Sequence, residues 1–511
     1  MPTGLSWTEL DRSLDDLRAV LRFRGASLDA RARRRLRAGA AVVLLLTVAA
    51  AVVPAYVRGM LHAARVGEFL PILPSLYLGF CFLTVLTASA SGGGREILPR
   101  DQAVAFPLSS TTDHLGALLM APLNVAWLMQ AWALLGLTAY VLGPSNLWAA
   151  MLPVLIWLAL ATALAQVVGW LLEWVRRGPH GIWTARGITA AFFLLVAGLI
   201  VSHRLTAVLD HSPTVRILLA AAWGSAGDWW GWARFLLEAG LATLVVVALG
   251  AIPARWALQR TQREELRLES GVHPARPRPR SDLLAMLRID RSAIWRSVPL
   301  RRGLLVLAFM PGLVAFSGHL EWRMIVILPG LVVSGGALLF GVNTWCLDGR
   351  GALWRDSLPA SPNLAFVSRV LVLYEVLLVS AALTIVLAAL RAGTPTTSEV
   401  VALGCATLVV AAQVVRASMT WSVRRPFAVD LRSARATPAP PVVMVGYSAR
   451  LALATTVTGM VFSGLAMLPD WRFTVLLALS MLLWSSYRLA RTASAWTDPQ
   501  VRARIVATVA S

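Results

Sequence analysis

Ionisable side chains within long apolar stretches are the first candidates for chemistry, because a charge in hydrocarbon is costly unless paired or hydrated. Glu375 and Glu238 lie in such stretches, with Asn124, Gln130, Gln166 and Gln413 as uncharged polar candidates. A carboxylate at Glu375 could face a cationic amphipathic substrate, with Asn124 and Gln130 lining the same path. The competing reading, favoured for the amides, is helix-to-helix hydrogen bonding at about 0.6 kcal/mol per contact. Covalent or metal chemistry has little footing: His62, His114, His180, His203 and His211 fall near the ends of apolar runs, with no HExxH pair and no GxSxG elbow. All 47 basic residues are Arg, so the chain cannot supply the Lys of a P-loop. Any ATP that drives it must be bound by another subunit. The glycine cluster Ser91-Gly92-Gly93-Gly94 reads as a helix stop.

The elements that position these residues are apolar runs, most of them with the length to cross a hydrocarbon core about 30 Å thick at about 1.5 Å per residue. The first six are expected at Arg37 to Tyr56, Phe69 to Ala90, Leu115 to Leu142, Leu147 to Leu172, Gly187 to Val201 and Ala233 to Ile252. The second six are expected at Gly303 to Phe316, Met324 to Trp345, Ala365 to Leu390, Val400 to Trp421, Val442 to Leu468 and Thr474 to Tyr487. The runs at 187 to 201 and 303 to 316 are short for a span. At 57% hydrophobic and 14% charged, the 511-residue chain reads as an all-α polytopic membrane protein. Cys81, Cys346 and Cys405 fall in or at the ends of these runs and read as small buried hydrophobes.

Arginine sets the orientation. Nine Arg precede or begin the first run and twelve lie between Pro253 and Arg302, which places both segments in the cytoplasm. Counting helices from there puts Arg95/Arg100, Arg176/Arg177, Arg350/Arg355 and Arg424/Arg425 inside as well, with both termini cytoplasmic. Trp223, Trp229, Trp230 and Trp232 then mark an outer interface. The net charge of +21 is spread over loops beside membrane helices, which fits topology and anionic-lipid contact, not nucleic acid. The N-terminus, carrying Glu9, Asp11, Asp15 and Asp16, does not read as a cleavable signal peptide. Exclusive Arg with abundant Ala suggests a bacterial genome and a cytoplasmic-membrane address.

The two sets of runs share punctuation. Leu17 to Phe23 before the first resembles Leu283 to Ile289 before the seventh, and both read as amphipathic helices along the inner membrane surface. Phe106-Pro107-Leu108-Ser109 matches Leu358-Pro359-Ala360-Ser361, and Trp174-Val175-Arg176-Arg177 is echoed by Trp421 to Arg425. Duplication into two parallel six-helix repeats follows, twelve transmembrane helices in all. The first half spans 1–262 and an Arg/Pro linker spans 263–280. The second half spans 281–511 with a short cytoplasmic tail.

At these residues the chain resembles the membrane permeases of ATP-binding-cassette (ABC) exporters with six helices per half. The resemblance rests on the amphipathic elbow before each first helix and on the charged loop after each second one. In the second half that loop reads Asn343-Thr344-Trp345-Cys346-Leu347-Asp348-Gly349-Arg350-Gly351, followed by Leu358-Pro359. It implies that each loop forms a short coupling helix docking on an ATPase subunit. Carried over by position, the docking residues are Arg95, Glu96, Leu98, Asp101 and Phe106 in one half and Asp348, Arg350, Trp354, Arg355 and Asp356 in the other. Two copies of a P-loop ATPase are implied as partners. ATP and Mg would be held there and no cofactor in this chain, which would be no enzyme itself. The implied activity is alternating-access export of a hydrophobic or amphipathic small molecule, peptide or lipid. The family more often uses a single six-helix subunit as a dimer; here one chain would supply both halves. The plainer reading of the loops is solvated turns holding Arg inside, against which Trp354 and Phe106 stand. A second function class is a secondary transporter driven by an ion gradient, which would show charge clustered near the bilayer midplane. A membrane enzyme or scaffold would show a reactive cluster or a soluble domain.

Overall fold

A computed structural model describes residues 7–26, 30–57, 69–90, 108–123, 125–202, 204, 212–260, 277, 279–317, 320–429, 439 and 441–511. All regular structure among them is helical. Among the described residues seven helical segments are long and apolar enough to cross a membrane: Arg37–Val57, Leu147–Arg176, Trp229–Leu258, Trp322–Leu347, Pro362–Ala389, Thr397–Arg424 and Arg472–Thr497. Shorter apolar helices run at Leu73–Ser89, Trp127–Leu142, Val215–Ala226 and Gly303–Phe316. Large aliphatic side chains point outward along several of them, among them Leu44, Leu45, Leu244, Leu476 and Leu483. Such a surface suits lipid and not water. The chain divides into two units, Met1–Ser270 and Gly271–Ser511, at a boundary inside the expected linker.

The first unit comprises α1 (Trp7–Ala26), α2 (Ala30–Val57), α3 (Leu73–Ala90), α4 (Ser110–Met120), α5 (Val125–Leu142), α6 (Leu147–Arg176), α7 (Gly181–Val201), α8 (Val215–Ala226) and α9 (Trp229–Leu258). Helix α6 is the hub, with α3, α8 and α9 packed along it. The run expected from Leu115 to Leu142 is broken by a 3-10 turn at Ala121–Leu123, where Pro122 lacks the N–H that would continue the helix. The expected outer connection near Trp223 contains α8, whose Ile217, Ala220 and Ala221 are buried. The turn into α9 needs Gly227 at φ +82°, and Asp228 caps the new helix by accepting from the Gly231 N–H.

The second unit comprises α10 (Asp282–Arg296), α11 (Val298–Ser317), α12 (Trp322–Ile325), α13 (Leu328–Phe340), α14 (Ala352–Asp356), α15 (Pro362–Ala389), α16 (Thr397–Arg424), α17 (Pro441–Leu465), α18 (Arg472–Thr497) and α19 (Pro499–Ala510). Helix α15 packs on α10, α11 and α13, and α16 packs on α17 and α18. Sequence sets the starts of these helices. Ser361 caps α15 ahead of Pro362, and Thr396 with Glu399 forms a reciprocal capping box on α16. The short tail expected at the C-terminal end is helix α19. Asp498 caps it, and Ile505, Val506 and Val509 join the unit's core.

Both units repeat one local arrangement at the sequence match around Pro107 and Pro359. Ser109 accepts from the Thr112 N–H at 3.0 Å and Ser361 from the Leu364 N–H at 3.4 Å, each starting a helix. An amphipathic helix lies against each of those starts: α1 on α4, through Ser13 and Ser109 at 3.1 Å, and α10 on α15.

Candidate functional site

The loop after α13 begins with a deliberate break. Residues Gly341–Leu347 form a 3-10 segment in which Asn343 leaves helical geometry at φ −150° and ψ 76°. A broken helix frees backbone groups that must find other partners. Ser422 of α16 accepts from the Thr344 N–H at 2.8 Å, and Asn343 Nδ2 donates to the Phe427 carbonyl at 2.7 Å. Arg369 of α15 donates to the Thr344 carbonyl at 2.9 Å. Gly341 is required by close approach: a Cβ there would lie 2.6 Å from Ser418 Oγ. The chain then turns at Gly349, φ +48°, into α14.

Four charged side chains lock this loop to two helices. Arg355 of α14 reaches Asp290 of α10 through two contacts, 2.6 and 3.2 Å, and Asp348 at 2.8 Å. Arg369 donates to both oxygens of Asp348 at 2.8 Å and lies 3.1 Å from Asp290. Ser368 donates to Asp290 at 2.6 Å. No side chain of the four is more than 9% exposed. Two aspartates balance two arginines, so the cluster carries no net charge into the core. Burial alone would push the Asp290 carboxyl up, but Arg369 and Arg355 outweigh it and hold its pKa below the usual range. Burial likewise opposes the Arg355 charge, and Asp348 and Asp290 overcome it, raising its pKa. The Nε atoms of Arg355 and Arg369 are buried without an acceptor. The cluster is thus held by charge and not by complete hydrogen bonding.

The floor beneath it is aromatic. The Arg369 guanidinium lies 5.4 Å from the Trp345 ring, which stacks on Trp496 with centroids 3.9 Å apart. Trp496 Nε1 donates to the Pro362 carbonyl at 2.9 Å, tying the end of α18 to the start of α15. Helix α19 braces α14 from the side, with Arg502 and Asp356 at 3.0 Å.

The docking residues expected in this loop therefore separate by direction. Asp348 and Arg355 face inward and hold the loop in place. Arg350, Leu353 and Trp354 face outward, Trp354 being 61% exposed, and Asp356 is exposed but engaged by Arg502. The matching residues of the first half, Arg95, Glu96, Leu98, Asp101 and Phe106, lie outside the described residues, as does Asn124. Glu375 pairs with Arg291 of α10 at 2.7 Å, with its side chain 41% exposed. Gln130 lies on α5 with its Oε1 buried and without a partner, and Gln413 accepts from Thr458 at 3.1 Å. The structure brings Asp348 and Arg355 together and leaves Glu375 apart from them.

Asp290, Ser368 and Arg369 escaped the sequence reading. Asp290 occupies the buried face of α10, four residues from both Met286 and Ile294. That placement of an acid on an apolar stripe was the available signal. Arg369 lies inside the expected ninth run, with no acid one turn away to neutralise it.

The first unit has its own buried charge at the end of α6. Glu173 accepts from Arg176 at 2.6 and 2.9 Å and from Arg177 at 2.9 Å. Arg177 also donates to the Ala257 carbonyl at 2.7 Å, and Arg260 lies 4.3 Å from the Trp174 ring. These contacts clamp the ends of α6 and α9 together. Comparison with protein-family models, curated proteins and solved structures finds no match, so the functional reading rests on the geometry of these residues.

Proposed function

We propose that this chain is the transmembrane permease of an ABC exporter: twelve spans in two parallel six-helix repeats, driven by two separate P-loop ATPase subunits. It moves a hydrophobic or amphipathic substrate across the cytoplasmic membrane by alternating access, with both termini cytoplasmic. The single observation that carries the reading is the construction of the loop from Gly341 to Asp356. A solvated turn needs only exposed polar residues, whereas this one is pinned to α10 and α15 by Asp290, Asp348, Arg355 and Arg369. A short helix fixed from behind and presenting Leu353, Trp354 and Arg350 outward suits transmission of force from a docked partner to the bundle. Trp and Arg are the side chains that most often anchor protein interfaces. The matched serine caps at Ser109 and Ser361 support the repeat.

The test is co-purification from the native membrane with an ATPase assay of the eluate. The reading expects a co-purifying ATPase that is lost from Trp354→Ala while the variant's thermal stability is unchanged. A single chain with no ATPase, recovered intact, overturns it in favour of gradient-driven transport.

A further inference from the structure

Helices α16, α17 and α18 enclose a second feature that the docking loop does not use. A cavity of about 620 Å³ opens between them, bordered by Gln413, Arg416, Arg450, Leu453, Val457 and Met481. Of the nearby arginines, Arg416 and Arg488 share one level and Arg450 lies nearer the end of α16, against Trp421. Thr420 and Thr492 hydrogen-bond at 2.9 Å and fix the register of α16 against α18. Arg416 and Arg488 each lie one turn back from that contact, and Arg488 adds like charge beside Arg416. On α17, Thr458 donates to Gln413 at 3.1 Å, and Arg450 lies two turns from Thr458 toward the same end of the bundle.

Among the described residues these charges have no protein counterion: no carboxylate pairs with Arg416, Arg450 or Arg488, and Arg416 Nε is buried without an acceptor. Arg450 and Arg488 have only ring contacts, 5.8 Å from Trp421 and from Trp484. Like charges gathered in an apolar bundle are costly unless something neutralises them. From Arg416 to the end of its helix at Arg424 is about 12 Å at 1.5 Å per residue, and the corresponding distances on α17 and α18 are similar. Helix α16 is about 42 Å long against a hydrocarbon core of about 30 Å. Centred in the bilayer, it puts Arg416 roughly 6 Å below the headgroup boundary, a depth from which a guanidinium reaches back to the interface. Away from that end the cavity wall becomes aliphatic, with Leu453 69% and Val457 51% exposed.

We propose that this cavity binds an anionic amphiphile, a single phosphate-type headgroup held by Arg416 and Arg450, with Arg488 adding positive charge beside Arg416 and an aliphatic tail along Leu453, Val457 and Met481. The site takes its ligand sideways from the membrane. It rests on the membrane-embedded part of the reading above and not on the ATPase partner, so either stands if the other fails.

The test uses the purified full chain in zwitterionic detergent, titrated with a fluorescent-tailed phosphatidylglycerol. Unlabelled phosphatidylglycerol displaces the probe, and phosphatidylcholine and inorganic phosphate do not. Dodecyl phosphate separates the two sources of this chemistry: displacement means any single-anion amphiphile is accepted, and no displacement means the site belongs to the bilayer's own anionic lipid. Arg416→Gln with Arg488→Gln weakens probe binding at least tenfold. Val457→Trp, which keeps every arginine and fills the tail channel, also weakens it. Both variants are checked by size-exclusion profile, and Arg234→Gln, on the first unit, leaves binding unchanged. Equal displacement by phosphatidylcholine, or unaltered binding in a well-folded double variant, overturns the proposal.

Discussion

Asp290→Asn isolates the contribution of charge to the loop, because it preserves size and one hydrogen-bond acceptor while removing one of the cluster's two negative charges. Arg355 and Arg369 would then share only Asp348, with side chains no more than 9% exposed. Breaking a buried pair by removing one partner costs about 3–5 kcal/mol. At about 1.36 kcal/mol per tenfold, local opening of residues 341–356 rises by roughly two to three and a half orders of magnitude. Trypsin reads this directly, since Arg350 and Arg355 are both in the loop and cleavage tracks the open population when reclosing is fast. Asp290→Leu with Arg355→Met removes one charge of each sign and leaves Asp348 and Arg369 paired, so most of the protection returns. A cleavage rate within threefold of wild type for Asp290→Asn would refute the claim that charge holds the loop. The pH dependence has a definite sign. The Asp290 pKa is depressed in the fold, so its stabilisation is complete above the unfolded value of about 3.9 and is lost as pH falls through the folded one. The protection factor of the loop amides, their exchange measured against the intrinsic rate at each pH, is therefore flat from pH 8 to 5 and falls only in the acid range below ordinary carboxylates.

Ser422→Ala leaves the buried Thr344 N–H without its acceptor and lowers stability by about 1–3 kcal/mol, read as a fall in Tm. Gly250→Ala puts a Cβ about 2.5 Å from the His114 ring, which is held between Trp170 Nε1 and the Val247 carbonyl and cannot retreat. Overpacking there costs about 1–3 kcal/mol, measured by thermal unfolding, whereas Gly240→Ala, inside α9 with open space at its Cβ, stabilises by up to about 1 kcal/mol. Thr396→Ala removes the capping box at the start of α16 and costs about 0.5–2 kcal/mol by the same measurement.

Hydropathy was enough to place helices, since each expected run falls largely on helical chain. It was not enough to place their interruptions. Pro122 could have announced the break between α4 and α5, but proline is tolerated inside several other helices here, including α6 at Pro153. The break at Asn343 has no proline; it exists because Ser422, Phe427 and Arg369 accept and donate to the freed backbone, and these partners come from distant sequence. The charged loop was legible as a place and not as a mechanism. Asp348 and Arg355 look like surface residues by type and are buried because Asp290 and Arg369 meet them. Helix α8 was missed because its twelve residues are too few for a span, although they are apolar enough to enter the core.

The sequence match that aligns Trp174 with Trp421 shows where the two halves diverge in chemistry. Glu173, which anchors Arg176 and Arg177 in the first unit, aligns with Thr420, which instead pairs with Thr492. The carboxylate clamp on one side is thus a neutral hydroxyl contact on the other. The same alignment sets Arg416 opposite Gly169, and Gly169 packs so closely on Ala88 that a Cβ would approach its backbone to 3.3 Å. A long charged side chain at that position would have to displace α3. At this position the first unit packs α6 tightly on α3, whereas the second carries a charged side chain beside α17 and α18. Under the proposed duplication the starts of the helices, at Ser109 and Ser361, are kept, where backbone capping leaves few alternatives. The charge at Arg416 has no counterpart, since Gly169 stands at the matched position, so the anionic-amphiphile site proposed above belongs to the second half.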